Sequence, residues 1–394
     1  MTQSIINCGK VVKRESAHVA PITILVNANL QIHSSKKRHR MKPLVIFTSI
    51  RGTPNFGRYA ENFTQNKQDP DVLVIDETPT NRKNVKQQLN GFTTDFYGAE
   101  ERNAWFNSHG LSKYKSVIPE RAHNESSFGL LIALERGDYD MVVFLDDDTY
   151  PINGKDFLSE HWMALHQKDK SGKPMGKVPV REAEYGNWLN THPSYQVRGL
   201  PYCQRRLRTN WMNPNNFTET VLNMGCWIGI PDLNAIDYLA FDPDPQYFQV
   251  HNFTAAKRNF VPICSMNVAF KPQIIPAYYQ LWHRDRYDDI FSGLFLKVIA
   301  DHLNKGVSVG SPLCVHDKVP RDYFKDAETE LPSMKLNESL WQVLLETEFT
   351  ESTWLGCYRE LTEQLRRKAK PLSPHYITQM TNKMLQWTEL VEKV

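Results

Sequence analysis

The first sustained apolar run, Leu44-Val45-Ile46-Phe47-Thr48-Ser49-Ile50, follows Met41-Lys42-Pro43 and reads as a buried strand. A second run, Asp71–Asp76, comes after a helix-length segment, and Thr78-Pro79 opens another helix. Residues Ser127–Arg136 carry a short amphipathic helical pattern closed by Gly137, which leads into the strand Met141–Leu145. This β-α-β-α order predicts parallel α/β winding for the first half. Residues 165–260 are richer in Pro, Asn and aromatics and weakly periodic, which predicts long loops over the carboxyl edge of the sheet. Order returns at Ile263–Phe270. An amphipathic helix follows, with Ile290, Phe291, Leu294, Phe295, Val298, Ile299 and Leu303 on its apolar face and its end at Gly306. From Leu336 onward the pattern is helical, with Trp341, Leu344, Leu345, Trp354, Leu361 and Leu365 as packing residues. Residues 1–40 hold no period and read as an extension, so the expected division is 1–40, a main α/β domain at 41–335, and a helical segment at 336–394.

The strand Val142-Val143-Phe144-Leu145 stops on Asp146-Asp147-Asp148. In an α/β sheet the carboxyl ends of the strands open into the ligand crevice. Three adjacent carboxylates repel one another unless a cation sits among them, and hard oxygen donors suit Mg²⁺ or Mn²⁺. This points to chemistry on a phosphate-bearing substrate. A solvated acidic turn is the ordinary alternative.

Composition narrows the picture only a little. A chain of 394 residues can bury a large core, and its formal charge of +3 neither demands nor excludes a polyanionic partner. Basic residues cluster at Lys36–Arg40, Arg205–Arg208 and Arg366–Lys370; most such clusters are solvated faces, with nucleic-acid or phosphate contact the minority reading. The six cysteines form no C-x-x-C pair, so neither a zinc site nor a disulfide framework is indicated. There is no bilayer-length apolar stretch and no signal-peptide layout, so the expectation is a soluble, cytoplasmic protein without a membrane partner.

Six motifs occur in the order seen in plant reversibly glycosylated polypeptides: Ser49-Ile50-Arg51, Phe144–Asp148, Val197–Tyr202, Cys226–Asp232, Pro262–Phe270 and Arg286–Asp289. The chain resembles that UDP-arabinopyranose mutase family from about residue 44 to 345, most densely at 222–318. The resemblance implies an α/β fold of the GT-A (nucleotide-diphospho-sugar transferase, Rossmann-like) type over 41–335. In that fold a UDP-sugar lies across the carboxyl edge and Mn²⁺ or Mg²⁺ bridges its phosphates to the acidic run. It makes Asp146 and Asp148, on one face of an extended chain, metal ligands, with His316 of Val315-His316-Asp317-Lys318 as the third. Asp147 faces the other way, toward a basic neighbour. Arg51 and Asp76 face the uracil and ribose. Arg198 and Arg205 match two arginines of the family's R-G-Y-P-F-S-L-R segment, one associated there with self-glycosylation; clamping the diphosphate is their simpler role. Asp288 and Asp289 match R-Y-D-D, with Asp289 slightly favoured as the acceptor-side base. The chain departs from the family at Ser126, where the family has arginine, which leaves Arg121 or His123 to make that phosphate contact. It departs again in the 165–220 loop region, which is expanded relative to the family, and within it at Cys203–Leu207.

Three functions follow. The first is transfer of a sugar, such as arabinose, from a UDP-sugar to an acceptor held by the expanded loops. Trp105, Trp188, Trp211 and the basic clusters make a hydroxymethylated DNA base one such acceptor, since a flipped base needs stacking and cationic contacts. The second is the mutase reaction, which needs no acceptor. The third is a non-catalytic nucleotide-sugar-binding scaffold that assembles with relatives or as a homo-oligomer.

Overall fold

The computed structural model describes residues 41–49, 55–77, 81–166, 178–180, 185–189, 191–206, 210–212, 217–244, 246–247, 252–281, 286–318, 321–368 and 372–394. The expected extension at 1–40 lies outside them.

The chain opens as expected with β1 (Pro43–Ser49), α1 (Phe56–Gln65), β2 (Asp71–Asp76), α2 (Arg82–Gln88), β3 (Thr94–Tyr97) and α3 (Ala99–Ser108). Next come α4 (Ser126–Arg136), β4 (Met141–Asp146), β5 (Thr149–Pro151) and α5 (Phe157–His166). Short strands follow: β6 (Val178–Val180), β7 (Thr191–His192) and β8 (Asn210–Met212), then the long β9 (Glu219–Gly229). The last third holds α6 (Ala235–Ala240), β10 (Gln246–Tyr247), β11 (Phe253–Thr254), β12 (Asn267–Phe270), α7 (Asp288–His302) and β13 (Lys305–His316). Three helices close the chain: α8 (Tyr323–Leu345), α9 (Trp354–Arg367) and α10 (Pro374–Val391).

The main sheet runs β11-β13-β9-β12-β4-β1-β2-β3, with β5 paired to β13. β1 to β4 are mutually parallel where they pair, β12 is antiparallel to both β4 and β9, and β9 is parallel to β13. This is the mixed α/β architecture expected. Its parallel half is apolar on both faces, as strands covered by helices on either side must be. Helix α4 lies so close to β1 that a Cβ on Gly129 would stand 2.7 Å from Ile46 Cγ2, which is why the helix carries glycine there.

Three expectations need correction. The 165–260 region is not only loops: β9 is an eleven-residue strand inside the sheet. Burial on both faces removes the alternation that reveals a strand, and Asn223 and Gly225 interrupt its apolar run. Asn223 is tolerated because it sits in a buried network. Its Nδ2 faces His161 Nδ1 at 3.0 Å, Ser308 donates to its Oδ1, and His161 Nε2 faces Asn267 Oδ1 at 2.8 Å. Helix α7 ends at His302, and Gly306 already belongs to β13. The boundary at 335/336 falls inside the continuous helix α8. Leu361 of α9 and Ile377, Met384 and Trp387 of α10 are fully buried members of the same apolar cluster as β1 and β4, so the tail helices complete one core.

Candidate functional site

Strand direction and register bring the chemistry to one edge. Ser49 pairs in register with Asp76, and Thr48 with Asp146, so the carboxyl ends of β1, β2 and β4 are level. Because β12 runs antiparallel to β4, its first residues lie at the same edge, where Asp146 N donates to Met266 O at 3.1 Å. The ends of β9 and β13 arrive there too, with His316 in register with Gly229 on one side and with Thr149 of β5 on the other. Gly229 has φ +92°, and a Cβ there would stand 2.7 Å from His316 O, so this close approach requires glycine.

The acidic run is braced from behind. Tyr59, fully buried, donates to Thr149 Oγ1 at 2.8 Å, and that hydroxyl donates to Asp146 O at 2.9 Å. Asp147 turns inward and accepts from Ser49 Oγ at 3.1 Å, while Asp146 and Asp148 stay half-buried, matching the expected alternation. One neighbour of Asp147 is thus the Ser49 hydroxyl. Asp148 Oδ2 lies 3.4 Å from His316 Nε2. His316 Nδ1 faces the Ile230 carbonyl at 2.8 Å, which places a ring proton on Nδ1. With the ring neutral, its Nε2 lone pair and the Asp148 carboxylate would be two ligands of one cation. Among the described residues, no three His, Cys, Asp or Glu side chains gather closely enough to hold a metal by themselves. Of the three expected ligands the structure pairs Asp148 with His316. That donor set fits a small hard cation which completes its shell with substrate phosphates and water, as Mg²⁺ commonly does.

A second cluster is centred on Arg198. Its Nε donates to Asp232 Oδ2 at 2.7 Å, and Nη1 and Nη2 donate to Asp289 Oδ1 and Oδ2 at 3.2 and 3.0 Å. Its Nη1 also donates to the Arg286 carbonyl. All three side chains are buried. Burial opposes the guanidinium charge, but Asp232 and Asp289 outweigh it and hold the Arg198 pKa well above its usual value. Burial would raise the Asp232 carboxyl, yet Arg198, Arg286, Lys318 and His316 together bring it down to about 2. Gly199, at φ +88°, is the second position where glycine is required, since a Cβ would stand 2.7 Å from Ile290 Cγ2 of α7. Asp289 also accepts from Ile290 N at 2.8 Å and Ser265 N at 3.3 Å. Both of its oxygens are therefore engaged by the fold, which suits an orienting group better than a proton acceptor. Asp288, the first residue of α7, is buried beside it.

The remaining expected residues divide. Asp76 is buried and accepts from Arg82 Nε at 2.6 Å; its Oδ1 is buried without a hydrogen-bond partner among the described residues, as an oxygen awaiting a ligand hydroxyl would be. Arg121 is exposed, has φ +56°, and its backbone N–H donates to Glu77 Oε2 at 3.0 Å. Arg205 makes a two-bond pairing with Asp237, both at 2.9 Å. Arg51 and the His123 side chain lie outside the described residues. Ser126 is buried at the start of α4. Trp105 and Trp188 are core residues whose indoles donate to Glu135 and to the Pro262 carbonyl. They offer no exposed stacking face. The Trp211 side chain lies outside the described residues.

Comparison with known proteins bears on this assembly. The family model described as reversibly glycosylated polypeptide matches residues 45–394, most of the chain. The chain belongs to that family. The match reaches through α10, beyond the limit near 345 that the motifs indicate, in keeping with tail helices that share the core. Among curated members of the family's kind, UDP-arabinopyranose mutase 1 of Arabidopsis thaliana is 30% identical over 202 residues, 49% of this chain and 53% of the relative. Probable UDP-arabinopyranose mutase 2 of Solanum tuberosum is 30% identical over 208 residues, 49% and 52% respectively. The chain spans about half the length of the curated relatives it matches. Among solved structures, glucosyl-3-phosphoglycerate synthase from Mycobacterium tuberculosis with Mn²⁺, UDP and phosphoglyceric acid covers 76% of this chain and 78% of its own, at 11% identity and a TM-score of 0.40. That score is too low to carry anything over.

Sequence reasoning missed Asp232, Ser265 and Lys318. All three lie within or beside motifs that it did use. What it lacked was the pairing: Arg198 meets a carboxylate 34 residues away and another 91 away.

Proposed function

We propose that this protein binds a UDP-sugar across the carboxyl edge of the sheet and reacts it at the sugar–phosphate bond, with UDP-arabinose ring-form interconversion as the best-supported reaction. The observation that carries the reading is the Asp148–His316 pair, a carboxylate and an imidazole nitrogen 3.4 Å apart beside a half-buried second carboxylate, Asp146. A divalent cation bound there supplies Lewis-acid neutralisation of the charge that develops on the diphosphate. Asp148 and His316 hold it, Asp146 stands at the same edge, and Ile230 O fixes the imidazole tautomer. Asp76 Oδ1 receives a ribose hydroxyl. Arg198 positions Asp289, and the rigid Arg198–Asp289 pair sets the orientation of Asp288 on the sugar side. The family membership and the names of the relatives support arabinose as the sugar.

Transfer to an external acceptor is the second reading, favoured by the departure from the family pattern at Cys203–Leu207. A DNA base is not proposed as that acceptor, because Arg205 is committed to Asp237 and Trp105 and Trp188 are internal. The test incubates purified protein with Mn²⁺ and UDP-arabinopyranose and resolves the two ring forms by chromatography and NMR. Appearance of UDP-arabinofuranose, abolished in Asp148→Ala, supports the mutase reading. An unchanged substrate pool, with UDP released only when an acceptor is supplied, replaces it with the transferase reading.

A further inference from the structure

The chain leaving β13 is held to the acidic run, since Asp317 N donates to Asp148 O at 2.8 Å. One residue on, the Lys318 side chain turns into the protein. Its Nζ lies 3.7 Å from the centroid of the Tyr238 ring and 5.3 Å from that of Tyr323, two rings stacked on each other at 4.6 Å. That nitrogen is buried and has no hydrogen-bond acceptor among the described residues. Its charged surroundings are the Asp232 carboxylate and three guanidiniums, those of Arg198, Arg286 and Arg321.

Those guanidiniums already use the carboxylates nearby. Arg198 takes Asp232 and Asp289, Arg286 takes Glu330, and Arg321 takes Asp326 in a two-bond pairing. Lys318 is left with three N–H donors against aromatic faces. A cation over a ring is attractive, but it leaves those donors without an oxygen, and a buried ammonium without acceptors is costly. A ligand oxygen delivered at this edge would meet that need. The residue follows His316 by two positions, on the chain segment that Asp317 N ties to Asp148 O.

We infer that the Lys318 ammonium is an anchor for a phosphate oxygen of the substrate's diphosphate. This rests on the UDP-sugar reading above. It assigns the residue a positioning role: it binds the group that departs from the sugar and must retain it while the sugar rearranges.

The experiment is calorimetric titration of the full chain in Mn²⁺ with UDP, inorganic pyrophosphate and uridine, on wild type, Lys318→Met, Lys318→Gln and Lys318→Arg, with melting temperatures recorded for each. Expected is a loss of about tenfold in UDP and pyrophosphate affinity in Lys318→Met and Lys318→Gln, about 1.4 kcal/mol, with uridine unchanged and Lys318→Arg within threefold of wild type. If Lys318→Met does not fold, the comparison of Lys318→Gln with Lys318→Arg decides. Equal UDP affinity in those two, with wild type binding UDP normally, overturns the inference and leaves the donor reading standing. Wild type that binds neither UDP nor pyrophosphate in Mn²⁺ overturns the donor reading, and the inference with it.

Discussion

Substitution of Arg198 separates two roles that the sequence leaves open, a clamp on the substrate diphosphate and a scaffold for carboxylates. In the structure its fork is spent on Asp232 and Asp289, with Nε and both Nη atoms engaged at 2.7, 3.2 and 3.0 Å in a buried setting. Arg198→Met leaves two buried carboxylates without their shared cation, and removal of one partner from a buried ion pair costs about 3–5 kcal/mol. Arg198→Lys keeps the charge but not the fork. An ammonium can face one of the two carboxylates well, so it forfeits one or two charge-assisted hydrogen bonds, about 2–3 kcal/mol in all.

Guanidinium chloride unfolding measures both losses. Calorimetric titration with UDP in Mn²⁺ measures the alternative. Expected are the stated destabilisations, ring-form turnover that falls in Arg198→Lys, and a UDP affinity for that variant within about threefold of wild type, a change of under 1 kcal/mol. Adding Asp289→Asn to Arg198→Met should cost less than the sum of the single changes, because the two groups share one interaction. The reasoning is refuted if Arg198→Lys is as stable as wild type and loses tenfold or more in UDP affinity. Arg198 would then be a diphosphate ligand whose carboxylate contacts are incidental.

Asp148→Asn and His316→Ala should each raise the Mn²⁺ concentration needed for half-maximal UDP binding by about tenfold, in line with the loss of one metal ligand or its support; an unchanged midpoint in both variants removes the cation from this pair. His161 is held neutral by burial, its pKa brought down to about 4, with its hydrogen bond to Asn267 opposing the shift. The unfolded chain therefore binds the extra proton first: this stability is present in full above pH 6.5, is lost as pH falls toward 4, and amounts to about 3 kcal/mol. Urea unfolding at pH 7 and 4.5 should show a slope that His161→Gln lacks, and an equal slope in the variant would place the acid sensitivity elsewhere. Glu125 is raised by burial, and further by its hydrogen bond to Glu77, to about 8, against the opposing pull of Arg102. Its contribution is present in full below pH 4.5 and is lost as pH rises through 8, so Glu125→Gln should flatten the fall in stability between pH 5 and 8; a fall as steep as in wild type would exclude this carboxyl as its source. Gly129→Ala should destabilise by about 1–3 kcal/mol through its collision with Ile46, and a neutral result in thermal melting would mean that α4 can retreat from β1 at no cost.

Elements with a single strong period were legible without the structure: β2 and β4 have the bounds, to within a residue, that their apolar runs define, and α4 closes on the glycine that marks its end. β9 was hidden by the absence of a period. It is flanked by β12 and β13 and buried on both faces, so nothing alternates, and the polar Asn223 that breaks the run is satisfied only by residues from α5 and β13. Local pattern cannot express a hydrogen bond to His161, 62 residues away. The same limit explains why α7 was extended too far, since Leu303 continues the apolar face but the chain needs Gly306 for its approach to Thr220 and Thr254 in the sheet.

The site divides along the same line. Acidic residues at a strand end announce themselves, because that position follows from chain direction alone. The function of an arginine does not, because a guanidinium that binds phosphate and one that binds carboxylate look alike in sequence. Arg198 and Arg205 were grouped as one diphosphate clamp, yet each meets a carboxylate in the structure, Asp289 and Asp237 in paired bonds. Lys318 presents the inverse case: an ordinary residue of a short motif, its buried ammonium finds no acceptor among the described residues. Charge that is already paired inside the fold builds the site, and charge left unpaired inside it is where a charged ligand gains most. On that ground the phosphate contacts should be sought at Lys318 before either arginine.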